Sequence, residues 1–214
     1  QIPLYYQKKK IDLKYKNLEL YLNPKDIDWA NEFLAKNGVT AQDLLIAIIP
    51  GAGASWGKDA FFKHWPAESF SRLADKIIEN YKAKIIILGD LSEKTIVKQM
   101  LNNMRYKAID AAGETSLGQF AALLSKVNLA ITNDGGPLHM VVALGVKTVS
   151  IFGPVDDNVY GPYPQSDKNL VVKKVLDCQP CYHKFKMPLC SRNRECLTSI
   201  SVDDVYLYIK RLLG

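Results

Sequence analysis

The chain predicts an α/β fold with a parallel sheet covered on both faces, and three observations carry that prediction. Short continuous apolar runs at Leu45–Ile49, 84–88 and 129–132 read as strands buried on both sides. Stretches with apolar residues at helical spacing alternate with them. The loops between them carry the glycines, prolines and aspartates of turns at strand ends. Regular strand–helix alternation is the signature of a doubly wound, Rossmann-like sheet, whose ligand lies beyond the carboxyl ends of the strands.

Residues 1–23 read as an extended linker ending at Asn23-Pro24. Over Pro24–Lys36, the spacing of Ile27, Ala30, Phe33 and Leu34 predicts an amphipathic helix closed by Asn37-Gly38. After the strand Leu45–Ile49, a glycine-rich loop over 50–65 leads to a helix from about Pro66 carrying Phe70, Leu73, Ala74 and Ile77. Strands over 84–88, 106–110 and 129–132 then precede helices over 93–102, Leu117–Leu124 and 137–144. A strand over 148–152 closes the series. Beyond 153 the prolines 154, 162 and 164 mark a loop-rich region, followed by a cysteine segment and a helix over Val202–Leu213. The organisation is therefore a linker and helix over 1–44, a Rossmann-like domain over 45–165, and a cysteine-containing loop with a terminal helix over 166–214.

With 214 residues, 48% hydrophobic and 23% charged, the composition is that of a globular chain with a real core. No apolar run approaches the ~18 residues of a membrane span. The first residue is Gln1, which points to a processed or excised chain. A formal charge of +6 suits a phosphorylated ligand, acidic lipid or nucleic acid, and equally a lysine-rich surface. Lys8–Lys10 read as a solvated strap, and the sequence patterns of DNA- and RNA-binding modules are absent. Cys178, Cys181, Cys190 and Cys196 have the spacing C-x2-C-x8-C-x5-C. Structural zinc, two disulfides and four free thiols all satisfy it.

The most informative stretch is Thr132-Asn-Asp-Gly-Gly-Pro-Leu-His139. An acid, two glycines and a proline at a first helical position predict a strand–loop–helix corner, with backbone N–H groups and a helix dipole aimed at an anion. Asp134 is either the cap of that helix or a ligand contact, and His139 lies one turn on. The earlier loop, Pro50-Gly-Ala-Gly-Ala-Ser-Trp-Gly-Lys-Asp59, has the spacing of a phosphate-binding P-loop. It puts Asp59 where the magnesium-binding hydroxyl belongs, however, and it departs from the dinucleotide fingerprint because no helix opens directly after it. Lys63, just before the next helix, is placed for a phosphate contact. In Gly89-Asp-Leu-Ser-Glu93, Ser92 predicts a helix cap with Glu93 in the first turn. The same carboxylate is also placed to take the hydroxyls of a ribose.

Together these residues resemble glycosyltransferase family 9, the ADP-heptose:lipopolysaccharide heptosyltransferases and their relatives. The match runs in order through Pro50-Gly51-Ala52, Lys63-His-Trp-Pro66, Gly89-Asp-x-x-Glu93, Ala112-Gly-Glu-Thr-Ser-Leu117, the 132–139 corner and Phe152-Gly-Pro154. It covers roughly 45–165. The resemblance implies the C-terminal, donor-binding domain of a GT-B enzyme and an inverting reaction that needs no metal cofactor. On that resemblance, Lys63 neutralises the donor diphosphate and Glu93 binds the ribose. The Glu114-Thr115 loop borders the base, and Asp134 meets the sugar-diphosphate end. Gly135 and Gly136 cradle phosphate, with His139 in support. The expected partners are an ADP-sugar, a lipid-linked glycan acceptor and an N-terminal half carrying the catalytic base, which has no counterpart in 1–44. No nucleic-acid partner is expected. The expected location is the cytoplasm at the inner face of the membrane, with peripheral lipid contact. The rival readings are a non-catalytic nucleotide-binding module, a dehydrogenase with an unusual glycine loop, and a zinc-stapled interaction domain.

Overall fold

The computed structural model describes residues 18–182 and 186–214. The linker expectation for 1–17, including the Lys8–Lys10 strap, lies outside the described residues. Six parallel strands form one sheet in the order β3-β2-β1-β4-β5-β6. They are β1 Leu45–Ile49, β2 Lys84–Ile87, β3 Ile109–Asp110, β4 Leu129–Asn133, β5 Lys147–Phe152 and β6 Asn169–Lys173. The chain winds outward from β1 to β3, then returns to place β4 on the other side of β1. The crevice between the carboxyl ends of β1 and β4 is thus a topological switch point, where doubly wound sheets bind ligands.

Alternation along the strands divides the core in two. Ile46, Ile48, Ile85, Ile87, Leu129 and Ile131 face one layer. Leu45, Ala47, Ile49, Ile86, Leu88 and Ala130 face the other. The first layer is covered by α2 (Ala67–Tyr81), α3 (Lys94–Asn103) and the C-terminal α8 (Val202–Leu213). The second is covered by α1 (Pro24–Lys36), α4 (Leu117–Leu124) and α5 (Gly136–Ala143). Each fully buried Ile or Leu contributes roughly 1.5–3 kcal/mol of transfer free energy, so both faces hold the sheet.

Local chemistry sets the helix ends. α1 starts where the Asn23 side chain accepts from Lys25 N–H at 3.0 Å, with Pro24 opening the first turn. α4 and α8 begin with capping boxes, Ser116 with Gln119 and Ser201 with Asp204. Two short helices, α6 (Asp157–Tyr160) and α7 (Glu195–Thr198), lie in the region that reads as loop from sequence. So does β6, which pairs with β5 from Thr148↔Asn169 to Phe152↔Lys173. The sheet therefore continues past residue 165. The expected strand over 106–110 shortens to the two residues of β3 at the sheet edge.

Candidate functional site

The loops after β1, β2, β3 and β4 meet at one end of the sheet, and Asn133 joins two of them. This last residue of β4 is fully buried. Its Nδ2 donates to the carbonyls of Pro50 at 2.7 Å and Gly51 at 3.1 Å, while its Oδ1 accepts from Trp65 N–H at 3.1 Å. The loop leaving β1 and the segment entering α2 are thereby fixed to β4. Two residues on, a Cβ at Gly135 would lie 2.3 Å from the Ala52 carbonyl oxygen, so only glycine allows this approach of the β1 and β4 loops. At Gly136 nothing would meet an added Cβ. That position is exposed and opens α5 without a side-chain cap on its N–H.

Asp134 is not the cap of α5. The N-cap position falls on Gly135, without a side-chain hydrogen bond. Instead Asp134 pairs with Lys63, Nζ to Oδ2 at 2.7 Å, and both residues are buried. Burial pushes the Asp134 carboxyl above the ordinary range, against the pull of Lys63 and of the nearby His139. His139 itself is half-buried in the first turns of α5. Lys63 ends a 3-10 segment, Ala54–Lys63, that is kinked at Gly57. Its ammonium also lies 4.0 Å from the centroid of the Trp56 ring.

Glu93 is buried and held at both oxygens. Oε1 accepts from Gly53 N–H at 2.8 Å, and Oε2 accepts from Asp90 N–H at 2.9 Å. The cap of this turn is Asp90, which forms a capping box with Glu93, and not Ser92 as the sequence suggests. A carboxylate offers about four lone-pair sites, so two backbone donors leave capacity for hydroxyls. Gly51 makes room for this carboxylate, because a Cβ there would lie 1.7 Å from Oε1.

A cavity of about 470 Å³ opens among these loops. Glu93, Thr115 and Gly136 line it, together with the apolar Leu117, Phe120 and Met140. The structure thus brings three of the sequence-predicted residues around one space. Lys63, Asp134 and Gly135 are buried and are not among the residues that line it. Glu114 is exposed, and Thr115 alone of that pair lines the wall. A second cavity, of about 890 Å³, shares Gly53 and Glu93 and runs toward His64 and Arg194. Burial and the Arg194 charge bring the His64 imidazole down to about 4, so it is neutral near pH 7.

The cysteines are free thiols bordering one small cavity, with Arg194 N–H donating to Cys190 Sγ at 3.2 Å. Burial, with the other cysteines adding to it, pushes the Cys196 thiol up to about 11. Among the described residues, no group of three or more His, Cys, Asp or Glu side chains is arranged to hold a metal ion. No helix among them is long and apolar enough to cross a membrane.

The profile of glycosyltransferase family 9 (heptosyltransferase) matches residues 3–190. The chain belongs to glycosyltransferase family 9. Within the family it is similar to lipooligosaccharide heptosyltransferase 2 of Campylobacter jejuni (serotype O:6), with 27% identity over 213 residues, 98% of this chain and 62% of that protein. Its fold is similar to that of the family 9 glycosyltransferase of Veillonella parvula, with a TM-score of 0.78 and 30% identity over 92% of this chain and 53% of that one. It also resembles Escherichia coli ADP-heptose lipopolysaccharide heptosyltransferase II, with a TM-score of 0.69 and 20% identity over 91% of this chain and 53% of that one, a likeness of fold. The chain spans 62% of that curated relative and 53% of those two solved structures.

The sequence singles out the Asp134 corner, Lys63 and Glu93 as candidates, but gives no role to Asn133. The available signal was an amide side chain at the end of an apolar strand, where a buried polar group must find partners.

Proposed function

We propose that this chain is the donor-binding part of an inverting glycosyltransferase that moves a sugar, heptose from ADP-heptose, onto a lipopolysaccharide core or related glycan. The observation that carries the reading is the cavity at the β1–β4 switch, bordered by the Glu93 carboxylate and the open Gly136 start of α5. The apolar wall of Leu117, Phe120 and Met140 suits a flat base. Glu93 accepts from the ribose hydroxyls, with its carboxylate already oriented by Gly53 and Asp90. The diphosphate lies over the N-terminus of α5, against the Gly135-Gly136 backbone. Lys63 sits at this end, and exchanging Asp134 for phosphate brings its charge to the leaving group. The acceptor hydroxyl displaces ADP with inversion, and negative charge grows on the departing diphosphate. A helix N-terminus and a lysine aimed there stabilise the transition state more than the ground state.

The base that takes the acceptor proton belongs, on this proposal, to the part of the enzyme that the chain does not span. Work at the inner face of the cytoplasmic membrane fits the charge of +6, which favours an anionic lipid surface. Calorimetric titration with ADP, UDP and GDP tests the assignment. ADP is expected to bind best, and Lys63→Ala to weaken it. Tighter binding of UDP would move the donor to another nucleotide class, and turnover by the 214 residues alone would overturn the division of labour.

A further inference from the structure

Lys63 reaches its place through a contact that the 132–139 corner does not provide. Burying an ammonium is costly unless its charge is met, and Asp134 meets it on one side. On another, the indole of Trp56 lies 4.0 Å from Nζ. The indole is itself held, for the Tyr182 ring lies 4.3 Å from it at 33°, and Tyr160 meets Tyr182 edge-on at 5.8 Å. Trp56, Tyr160 and Tyr182 also pack on the buried cluster of Leu138, Val142, Phe152 and Val155, beneath α5. Tyr182 belongs to the cysteine-containing strap, which is anchored where Cys181 N–H and Tyr182 N–H both donate to the Pro154 carbonyl, at 2.8 and 3.1 Å. A chain of contacts therefore runs from the strap through two rings to the lysine.

We infer that Trp56 is the positioning residue for Lys63, with Tyr182 clamping the indole from the strap. The inference rests on reading Lys63 as the diphosphate lysine. An aromatic face is suited to this task because it stabilises a cation while offering no full negative charge and no strong acceptor. Asp134 alone would hold the ammonium in competition with phosphate. The indole keeps the side chain extended toward the site while the ammonium changes anion, so less rotamer freedom is lost when the donor arrives. The segment Cys178–Tyr182 then belongs to the donor site, although it lies far along the chain from Lys63.

The test joins a spectroscopic readout with a double-mutant cycle. In the ligand-free protein, the indole ring current is expected to move the Lys63 ε-methylene proton resonances upfield, with the shift reduced in Trp56→Phe and absent in Trp56→Leu. By calorimetry, Trp56→Leu is expected to weaken ADP about threefold to thirtyfold, the range of a partly to fully desolvated cation–π contact. Trp56→Phe, which keeps a ring, should lose less. In the Lys63→Ala background, Trp56→Leu should cost nothing further. Tyr182→Leu should give part of the Trp56→Leu loss, whereas Tyr182→Phe should give none. An unshifted Lys63 resonance, or equal losses from Trp56→Leu with and without Lys63, would overturn the inference by making Trp56 an ordinary packing residue. Absence of ADP binding by the unmutated protein, with the upfield shift present and lost in Trp56→Leu, would instead sink the donor-site reading and leave the positioning of Lys63 standing.

Discussion

At the end of β4, the Asn133 amide satisfies two carbonyls of the β1 loop and one N–H of the α2 entry from a single buried side chain. Removing it leaves three buried backbone groups without partners, each costing about 1–3 kcal/mol when nothing replaces the bond. Partial relaxation reduces the sum, so Asn133→Ala is expected to lose about 2–4 kcal/mol in denaturant unfolding. Asn133→Asp should be no better, because it turns the Nδ2 donor into an oxygen facing two carbonyls. The two glycines of the corner differ in the same physical terms. Gly135→Ala forces a Cβ against the Ala52 backbone oxygen, and such overpacking costs about 1–3 kcal/mol. Gly136→Ala meets open space and should unfold at a denaturant midpoint close to that of the parent. Equal midpoints for the two variants would show that the β1 and β4 loops can separate freely.

At the scale of elements, each helix facing the site is placed by its own start. α5 begins at a backbone corner rather than a side-chain cap, with Leu138 N–H donating to the Gly135 carbonyl and Gly136 left open at the start. The turn before α3 is closed by the Asp90–Glu93 capping box, so one glutamate both fixes the turn and faces the cavity. A capping role and a place in the cavity wall therefore coincide at Glu93, whereas at Asp134 the ion pair with Lys63 displaces capping. α2 shows a place where the sequence is not optimal. Its C-cap, Lys82, takes a left-handed conformation at φ 55°, which costs a non-glycine residue roughly 1 kcal/mol. Lys82→Gly is expected to raise the stability by about 0.5–1 kcal/mol, read as a higher melting temperature. A lower melting temperature would mean that the exposed Lys82 side chain contributes more than its backbone strain costs.

Across the whole molecule, α1 and α8, from opposite ends of the described chain, pack on opposite faces of one sheet. Binding at the switch point should therefore stabilise the fold as a unit. A ligand at one hundred times its dissociation constant adds about 2.7 kcal/mol, which in a chain of this size raises the melting temperature by roughly 5–10 °C. ADP at that excess should produce the shift, and Lys63→Ala should need more ADP to reach it. A melting temperature unmoved by saturating ADP would show that the cavity is not coupled to the folded core. The strap containing Cys178–Tyr182 bears on the same question, because its contact with Trp56 links the end of the chain to the site.

The sequence determined the layered fold and the site's address, since buried parallel strands read as unbroken apolar runs and the loops at their carboxyl ends carry the polar residues. Thr132–His139, Lys63 and Glu93 were legible because their chemistry is local to a motif. β6, by contrast, was hidden among prolines, because a five-residue strand at the sheet edge needs little apolar sequence of its own. The partners of Asn133, the exchange of capping for an ion pair at Asp134, and the stack of Tyr182, Trp56 and Lys63 were decided only by the tertiary structure. The bonds of Asn133, the Lys63–Asp134 pair and the Tyr182–Trp56 contact each join residues far apart in the chain, from 68 positions between Trp65 and Asn133 upward. No periodicity records such a distance, and only the winding of the sheet brings those groups within bonding reach.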